Sequence, residues 1–211
     1  MATATGTYIT STTLKRRLGI TDSTDDTLIG EIVNEVNQFI ETRTGRILSP
    51  VTHTAVLFDG YDAIEGGRCL HIPQGIRSIS LLEVTATTGG TFSTVPSTDY
   101  FIRPTAHERD PGWPGTEVWM TDIPSAANSL PVFLPGYANI RLTGTGGWAA
   151  VPDDIAAIAM RCGVSAWRGR SSSGTDDFSA GTDGERTFSA ALSGKDWKTL
   201  ERYRVKTVHI I

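Results

Sequence analysis

The sequence predicts an α+β protein: a helical bundle of about four helices, with a small antiparallel β domain inserted into it and an extended C-terminal tail. Apolar residues recur at helical spacing towards both ends of the chain. The middle instead has short alternating segments separated by glycine and proline turn signals. The predicted divisions are N-terminal bundle helices at 1–50, the β-rich insertion at 51–148, a bundle helix at 149–170, and a flexible loop, C-terminal helix and tail at 171–211.

The composition is that of a globular protein. Hydrophobic residues make up 39% of the chain and charged residues 20%, which argues against wholesale disorder. The net charge of -4 argues against a general nucleic-acid coat but leaves room for a local basic patch. No apolar run approaches the ~18 residues of a spanning helix, and the N-terminus lacks the features of a signal peptide. We therefore expect a soluble protein without a membrane partner, made and used in a cytoplasm or in a virus particle assembled there.

The most regular stretch predicts a long amphipathic helix that begins at Asp25-Asp26 and ends at Arg43, with Gly45 as a left-handed cap. Asp25 and Asp26 are expected to cap the first turn, where free amides and the helix dipole favour carboxylates. The buried stripe is predicted to be Leu28, Ile29, Ile32, Val33, Val36, Phe39 and Ile40, and the polar face Gly30, Glu31, Asn34, Glu35, Asn37, Gln38, Glu41 and Thr42.

A short basic helix is predicted before it, from Thr13 to Leu18, with Ser11 or Thr12 as its cap and Gly19 as its end. Residues 1–9 are expected to form a flexible lead. Three consecutive basic residues on this helix are interpreted as a solvated face rather than a phosphate contact: Lys15, Arg16 and Arg17.

The middle of the chain predicts short antiparallel strands, with a hairpin turn at Gly89-Gly90. Gly144–Gly147 follows a strand and precedes a helix, as a dinucleotide loop does. However, Val151-Pro152 intervenes, and proline lacks the amide that a phosphate needs, so a flexible turn is the favoured interpretation. The predicted strands are 52–60, 69–73, 79–87, 91–95, 100–102, 117–120 and 138–143.

A third helix is predicted to start with Pro152 at its first position and to end at Arg168–Arg170. Asp153 and Asp154 occupy its first turn, where capping explains them better than acid/base catalysis. Its buried face is predicted to be Ile155, Ile158, Ala159, Cys162, Ala166 and Trp167.

The stretch Ser171–Gly184 is rich in Ser, Gly and Asp and is expected to be a mobile loop. Ser193 and Asp196 then form a capping-box pattern that opens the last helix, which continues through Tyr203. Basic residues exceed acidic ones from residue 193 onwards, which predicts a positive patch at this end of an acidic protein: Lys195, Lys198, Arg202, Arg204 and Lys206 against Asp196 and Glu201.

Residues that carry chemistry are scattered. Cys69 and Cys162 are compatible with either a disulfide or a reduced pair, and neither has the surroundings of an activated thiol. No serine lies in a nucleophile elbow. The four histidines lack metal-ligand spacing: His53, His71, His107 and His209. The sequence therefore predicts no catalytic residue, no metal site and no cofactor.

Several aromatic residues in the middle of the chain are of the kind that lines a sugar-binding face. They are also what a small sheet uses to build its core, and we favour the core. These residues are Tyr61, Tyr100, Trp113, Trp119, Tyr137 and Trp148.

Short motifs, each occurring once, follow one another along most of the chain in a specific order and spacing. They are Ile9-Thr10 leading into Leu14-Lys15-Arg16-Arg17-Leu18-Gly19-Ile20, then Asp25-Asp26-x-Leu28, Ile40-Glu41-x-x-Thr44-Gly45-Arg46, Leu70-His71-Ile72-Pro73 with Ile79 and Val84, the turn Gly144–Gly147, Val151-Pro152-Asp153-Asp154-Ile155-x-x-Ile158-Ala159, and Arg202-Tyr203-Arg204. In this order they resemble the head-to-tail connector, or adaptor, proteins of tailed bacteriophages.

The resemblance implies a structural, non-enzymatic protein of the virion neck, which assembles in the host cytoplasm. Such adaptors form homo-oligomeric rings, typically of twelve subunits, beneath the portal protein. They extend the channel through which double-stranded DNA passes without sequence-specific binding, and they provide the platform for a stopper or tail-completion protein. The region Arg103–Gly115 and the turn Pro135-Gly136 match no pattern of this family.

The resemblance also implies positions for the contacts. In the family the C-terminal segment reaches the portal, which here assigns portal binding to Trp197, Leu200, Arg202, Tyr203, Arg204, Lys206 and Ile210. The polar face of the long helix would meet a ring neighbour or the channel through Glu31, Glu35 and Gln38. The alternative is a carbohydrate-binding or tail- or baseplate-associated β module whose helices serve only as a frame.

Overall fold

Four α-helices and a seven-stranded antiparallel sheet make up the described part of the computed structural model, which covers residues 6–105, 112–121, 132–172, 188 and 191–204. The predicted α+β class is confirmed. The chain divides into a helical unit, Met1–Ser49 with Val151–Ile211, and a sheet unit, Pro50–Ala150. None of the described helices combines the length and the apolar character that crossing a membrane requires.

The helical unit is built around its second helix. The helices are α1 (Ser11–Leu18), α2 (Asp26–Thr44), α3 (Asp153–Ser172) and α4 (Gly194–Tyr203), and α2 contacts each of the other three. The apolar stripe predicted for α2 is buried, apart from Leu28, which is half-buried. The predicted face of α3 is buried as well, except for Trp167, which is half-buried. This packing of apolar faces is the main stabilisation available to helices of these lengths.

The N-terminal cap of α1 lies one residue earlier than predicted. Thr10 has an extended backbone (φ -118°, ψ 157°), so its Oγ1 accepts a hydrogen bond from the Thr13 amide at 3.2 Å. The Thr13 hydroxyl in turn accepts from the Thr10 amide at 3.0 Å, which completes a capping box. Gly19 and Gly45 adopt left-handed conformations, with φ 74° and 70°, and end α1 and α2 as predicted.

The two aspartates lie at the N-cap and in the first turn of α2 as predicted, but the expected side-chain capping bond of Asp25 is absent. Asp25 occupies the N-cap position with φ -103° and ψ 15°, which is not the extended conformation that directs a cap side chain at the helix amides, and it makes no side-chain capping bond. Asp26 instead forms an ion pair with Lys15 of α1. Its side chain is 53% exposed, so we expect the pair to contribute little to stability.

Residues 6–9 of the predicted flexible lead pack against the helical unit, which corrects that part of the prediction, and residues 1–5 lie outside the described residues. Tyr8 and Ile9 are only 5% and 4% exposed. Their amides donate to Oδ1 of Asn37 at 3.0 and 3.4 Å, and Asn37 is itself buried rather than part of the polar face. The amide of Gly6 and the hydroxyl of Tyr8 donate to Glu41, which is half-buried. Two polar residues of α2 thus hold the N-terminal segment.

We expect Glu41 to give the helical unit a pH-dependent stability. Burial raises the pKa of its carboxyl above the ordinary value of 4.5, against the opposing hydrogen bonds from Gly6 and Tyr8. The folded state therefore keeps a proton that the unfolded chain loses, and the stability due to this group falls as the pH rises from about 4.5 through the folded pKa. Glu41→Gln should remove this loss, measured by urea unfolding at a series of pH values.

The control for this experiment is Glu35→Gln, which removes a carboxylate from an exposed position of the same helix. It should leave the pH dependence as in the wild type. Parallel stability–pH curves for the wild type and Glu41→Gln would contradict the prediction.

The sheet unit contains the strands β1 (Pro50–Phe58), β2 (Ala63–Ile64), β3 (Cys69–Val84), β4 (Ser93–Thr94), β5 (Tyr100–Arg103), β6 (Gly115–Met120) and β7 (Ile140–Gly147), with a 3-10 turn at Gly60–Asp62. Their order in the sheet is β1-β7-β3-β6-β5, with β2 and the short β4 each paired to β3. All pairings are antiparallel, as predicted.

The predicted strands at 69–73 and 79–87 are one continuous strand, β3. Its first part pairs with β6 and its second part with β7, and the register shifts on either side of Ile76. Gly75 has φ 79°, a backbone conformation that residues other than glycine rarely adopt. It lies where β3 passes from pairing with β6 to pairing with β7. The gap between the two predicted strands is therefore a bend within one strand.

The stretch Gly144–Gly147 is the end of β7 and not a flexible turn. Gly144 pairs with His53 on one side and Ile79 on the other, so this strand lies between β1 and β3. A Cβ on Gly144 would lie 2.2 Å from the Ser78 carbonyl oxygen, and one on Gly146 would lie 2.1 Å from Nε2 of His53. The glycines are needed because neighbouring strands approach them closely.

The third helix differs from its prediction at both ends. Pro152 precedes the helix, and its carbonyl accepts a hydrogen bond from Ala156 at 2.9 Å. Proline in this position loses no helical hydrogen bond. The helix continues through Ser172, two residues into the predicted loop, and residues 173–184 lie outside the described residues.

The core of the sheet unit is formed by alternate residues of the central strands. Leu82 and Leu142 face each other across β3 and β7 and are both fully buried. Val118 of β6 and Phe133, from the chain before β7, close the same cluster. The full set is Leu70, Ile72, Ile76, Leu82, Val95, Val118, Met120, Phe133, Ile140 and Leu142.

Candidate functional site

Helix α4 is fixed to the helical unit by both of its ends. At its start Ser193 and Asp196 form the predicted capping box, and the Arg161 guanidinium donates to the same aspartate. Burial raises the pKa of Asp196, but the hydrogen bonds from Ser193 and the charge of Arg161 outweigh it, so the pKa lies below its ordinary value. At its end the hydroxyl of Tyr203 donates to the carboxylate of Asp154, with O···O distances of 3.1 and 3.2 Å.

Three of the residues assigned to portal binding contact the helical unit itself. Leu200 is fully buried and Tyr203 is 6% exposed. Trp197 is half-buried, with its ring edge-on to Phe39 at 6.2 Å between centroids and with the Arg43 guanidinium 4.8 Å from its centroid. These contacts position α4 on α2 and α3.

The outer side of α4 is basic. Arg202 and Arg204 are exposed, and Arg204 forms an ion pair with Glu201 at 3.3 Å in which both side chains are 55% exposed. Such a pair leaves the arginine accessible because exposed ion pairs are weak. We call this surface the basic edge: Lys195, Lys198, Arg202 and Arg204. Lys206 and Ile210, the remaining predicted residues, lie outside the described residues.

The outward face of α2 is polar and partly acidic. Glu31, Glu35 and Gln38 are all exposed, and their spacing of four and then three residues aligns them along one side of the helix. We call these three residues the α2 stripe. It differs from the basic edge in charge, so the helical unit has two chemically distinct exposed surfaces.

The described residues contain no group of three or more His, Cys, Asp or Glu side chains that could hold a metal ion. Cys69 and Cys162 are free and buried, and burial raises their pKa to about 11 and about 12. Thiols in this state are poor nucleophiles. His53 is half-buried and His71 is exposed, whereas His107 and His209 lie outside the described residues.

The predicted aromatic core is wrong for two of its six members. Trp148 is buried and packs edge-on against Trp113, with centroids 5.4 Å apart. Tyr61 and Tyr137, however, are 61% and 65% exposed, and their ring centroids are 4.9 Å apart. They form an aromatic pair on the surface of the sheet unit.

The N-terminal third of the chain matches a known family in sequence. Residues 8–68 match the profile of the phage gp6-like head-tail connector proteins. The predicted resemblance to phage head-tail connectors is confirmed. The matched range starts at the ordered segment before α1, contains α1 and α2, and extends into the sheet unit as far as the residue before β3. It therefore includes the α2 stripe but not the basic edge.

A solved structure has a similar fold over nearly the whole of this chain. It is a chain of the neck of an empty GTA particle, computed with C6 symmetry, with a TM-score of 0.51 and 13% sequence identity. The similarity covers 99% of this chain and 95% of that chain. None of the curated proteins matches the sequence.

Proposed function

We propose that this chain is a structural protein of a phage neck, a ring-forming head-to-tail adaptor. It docks on the portal protein, extends the DNA channel, and provides the platform for a stopper or tail-completion protein. The observation that carries the proposal is the match of residues 8–68 to the head-tail connector family. The fold shared with a chain of a GTA particle neck supports it. The protein assembles in the host cytoplasm and resides in the virion.

The basic edge is the part of the described chain best suited to bind the portal. Its charges are exposed on a helix that Leu200 and Tyr203 hold in place, so binding would require little ordering of α4 itself. An acidic portal surface would attract it and speed encounter. Lys206 and Ile210 extend the proposed contact beyond the helix.

The α2 stripe is suited either to the channel or to a neighbouring subunit. Carboxylates lining a channel repel phosphate groups, so DNA passes without being held. A head-to-tail ring also requires two different complementary surfaces on each subunit. The α2 stripe offers one exposed acidic surface for such a contact, and the proposed ring contains about twelve copies.

The proposal is tested by native mass spectrometry of the protein alone and mixed with portal rings of the cognate phage. We expect either a ring of about twelve copies or a monomer that assembles when portal is added. A stable monomer with no portal affinity and measurable glycan binding would instead support a carbohydrate-binding β module.

A further inference from the structure

The exposed pair of Tyr61 and Tyr137 lies on two loops that are tightly held. Tyr61 belongs to the 3-10 turn Gly60–Asp62, and Tyr137 lies just ahead of β7. The rings are tilted by 57° and are more exposed than any other large hydrophobic residue described. Exposed tyrosines offer a large contact area at low entropic cost, which is why they are enriched in binding surfaces.

Hydrogen bonds fix the two loops to each other. The Gly60 amide donates to the Gly136 carbonyl at 2.8 Å and to Oδ1 of Asn139 at 2.7 Å. The Ala138 amide donates to the carboxylate of Asp59 at 2.6 Å. A Cβ on Gly60 would lie 1.9 Å from the Leu134 carbonyl oxygen, so the loops touch through their backbones. The pair is therefore preorganised.

Two exposed carboxylates follow Tyr61 closely in sequence. Asp62 follows Tyr61 in the same turn, and Glu65 lies three residues further on, and both are exposed. Asp59, Asn139 and Thr88 already bind the loop backbone, the Thr88 hydroxyl by donating to the Tyr137 carbonyl at 3.1 Å. Tyrosine faces attract cations, and neighbouring carboxylates strengthen the attraction, so the surface suits a guanidinium or ammonium group.

A sugar fits this surface less well. Sugar binding needs an open aromatic face together with polar groups available for hydrogen bonds to hydroxyls. Here the rings are tilted against each other, and Asp59 and Asn139 are used internally. The exposed carboxylates of Asp62 and Glu65 carry negative charge, which favours a cationic partner.

The same chain presents an exposed pair of cations. Arg16 and Arg17 of α1 are exposed, and among the described residues neither forms an ion pair, whereas Lys15 beside them is bound to Asp26. The proposed function assigns the basic edge of α4 to the portal. Arg16 and Arg17 are a further exposed basic pair, of complementary charge to Asp62 and Glu65.

We infer that Tyr61 and Tyr137, flanked by Asp62 and Glu65, form a subunit contact that receives Arg16 and Arg17 from a second copy of this chain. The contact joins the sheet unit of one copy to the helical unit of the next, so it can repeat head-to-tail around a ring. It rests on the proposed ring function and supplies that ring with its two unlike surfaces.

A charge swap tests the contact, with ring formation followed by native mass spectrometry over a range of protein concentrations. Arg16→Glu/Arg17→Glu and Asp62→Arg/Glu65→Arg should each raise the concentration needed for assembly on the order of 10-fold or more. The chain carrying all four changes should recover assembly. Tyr61→Ser/Tyr137→Ser should weaken assembly similarly, and Phe101→Ser, at a residue 41% exposed on β5, should not.

A photo-crosslinker at position 137 identifies what the pair touches. p-Benzoyl-phenylalanine in place of Tyr137 should crosslink to peptides containing Arg16 or Arg17 of another copy, and the same group in place of Phe101 should not. Crosslinks to the portal or to another sheet unit, binding of a glycan array, or unchanged assembly of Tyr61→Ser/Tyr137→Ser would overturn this inference but leave the proposed function standing. A wild-type chain that neither forms rings nor binds portal overturns the proposed function and this contact with it.

Discussion

Gly144→Ala is expected to destabilise the sheet unit by at least about 3 kcal/mol, at the upper end of overpacking effects. The new methyl group would lie 2.2 Å from the Ser78 carbonyl oxygen and 3.1 Å from Cα of Ile79. Both atoms belong to the backbone of β3, so relief requires the strands to separate. Gly144 lies at the centre of the β1-β7-β3 ladder, where separation breaks pairing on both sides.

Hydrogen exchange by mass spectrometry measures this effect locally. Faster exchange is expected throughout β1, β3 and β7 in Gly144→Ala. Thr145→Ala is the matched control, since it alters the next residue of β7 and removes a methyl group and a hydroxyl, the latter 2.7 Å from Oγ of Ser78, without adding an atom between the strands. It should cost less than about 1 kcal/mol. Wild-type exchange in Gly144→Ala would contradict the packing described for these strands.

Reversing two charges on the basic edge should weaken portal binding about 100-fold. Lys198 and Arg202 are exposed, and replacing both with glutamate would place like charges against an acidic portal surface. Titration of labelled portal by fluorescence anisotropy measures the affinity. The loss should shrink as salt is added, because salt screens exposed charges.

The control keeps the charges and changes the side chains. Lys198→Arg/Arg202→Lys should bind portal within a few-fold of the wild type. Substitution is a sharper test than deletion of 197–211, because deletion would also remove Leu200 and Tyr203 from the core of the helical unit. Undiminished binding by the double glutamate variant would move the portal contact away from α4.

Local sequence patterns were sufficient for most helices. The apolar period of α2, its terminal Gly45 and the capping box at Ser193 each depend on residues within a few positions, and the structure contains all three. The predicted capping bond of α2 was wrong because it depends on the backbone conformation as well as on the type of side chain. Asp25 has the right side chain, but its dihedral angles do not direct it at the helix amides.

The sheet was harder to predict because its contacts are distant in sequence. Glycines carry no periodic signal, so Gly144–Gly147 was indistinguishable from a turn until β1 and β3 were placed beside it. Two separate strands were predicted on either side of Pro73 and Gly75, where the structure has one bent strand, β3. Proline and glycine occur both at bends within a strand and at turns between strands, so local sequence does not separate the two cases.

Among the candidate surface residues, polarity alone predicted exposure for the α2 stripe but failed for Asn37 and Glu41. These two lie on the polar side of α2 and are covered by residues 6–9, through amides more than 25 positions away in sequence. The exposed Tyr61 and Tyr137 show the converse error. Aromatic residues usually pack inside a sheet, so composition predicted burial where hydrogen-bonded loops hold these two at the surface.

The hydrogen bond between Tyr203 and Asp154 also limits how far from the helical unit the residues after α4 can reach. It fixes the last turn of α4, so the chain beyond Arg204 departs from a defined point. A polypeptide extends by at most about 3.6 Å per residue, which keeps Ile210 within about 22 Å of Arg204 in any conformation. If Ile210 reaches the portal, that radius becomes a docking restraint: only subunit placements that bring the end of α4 within it can be correct.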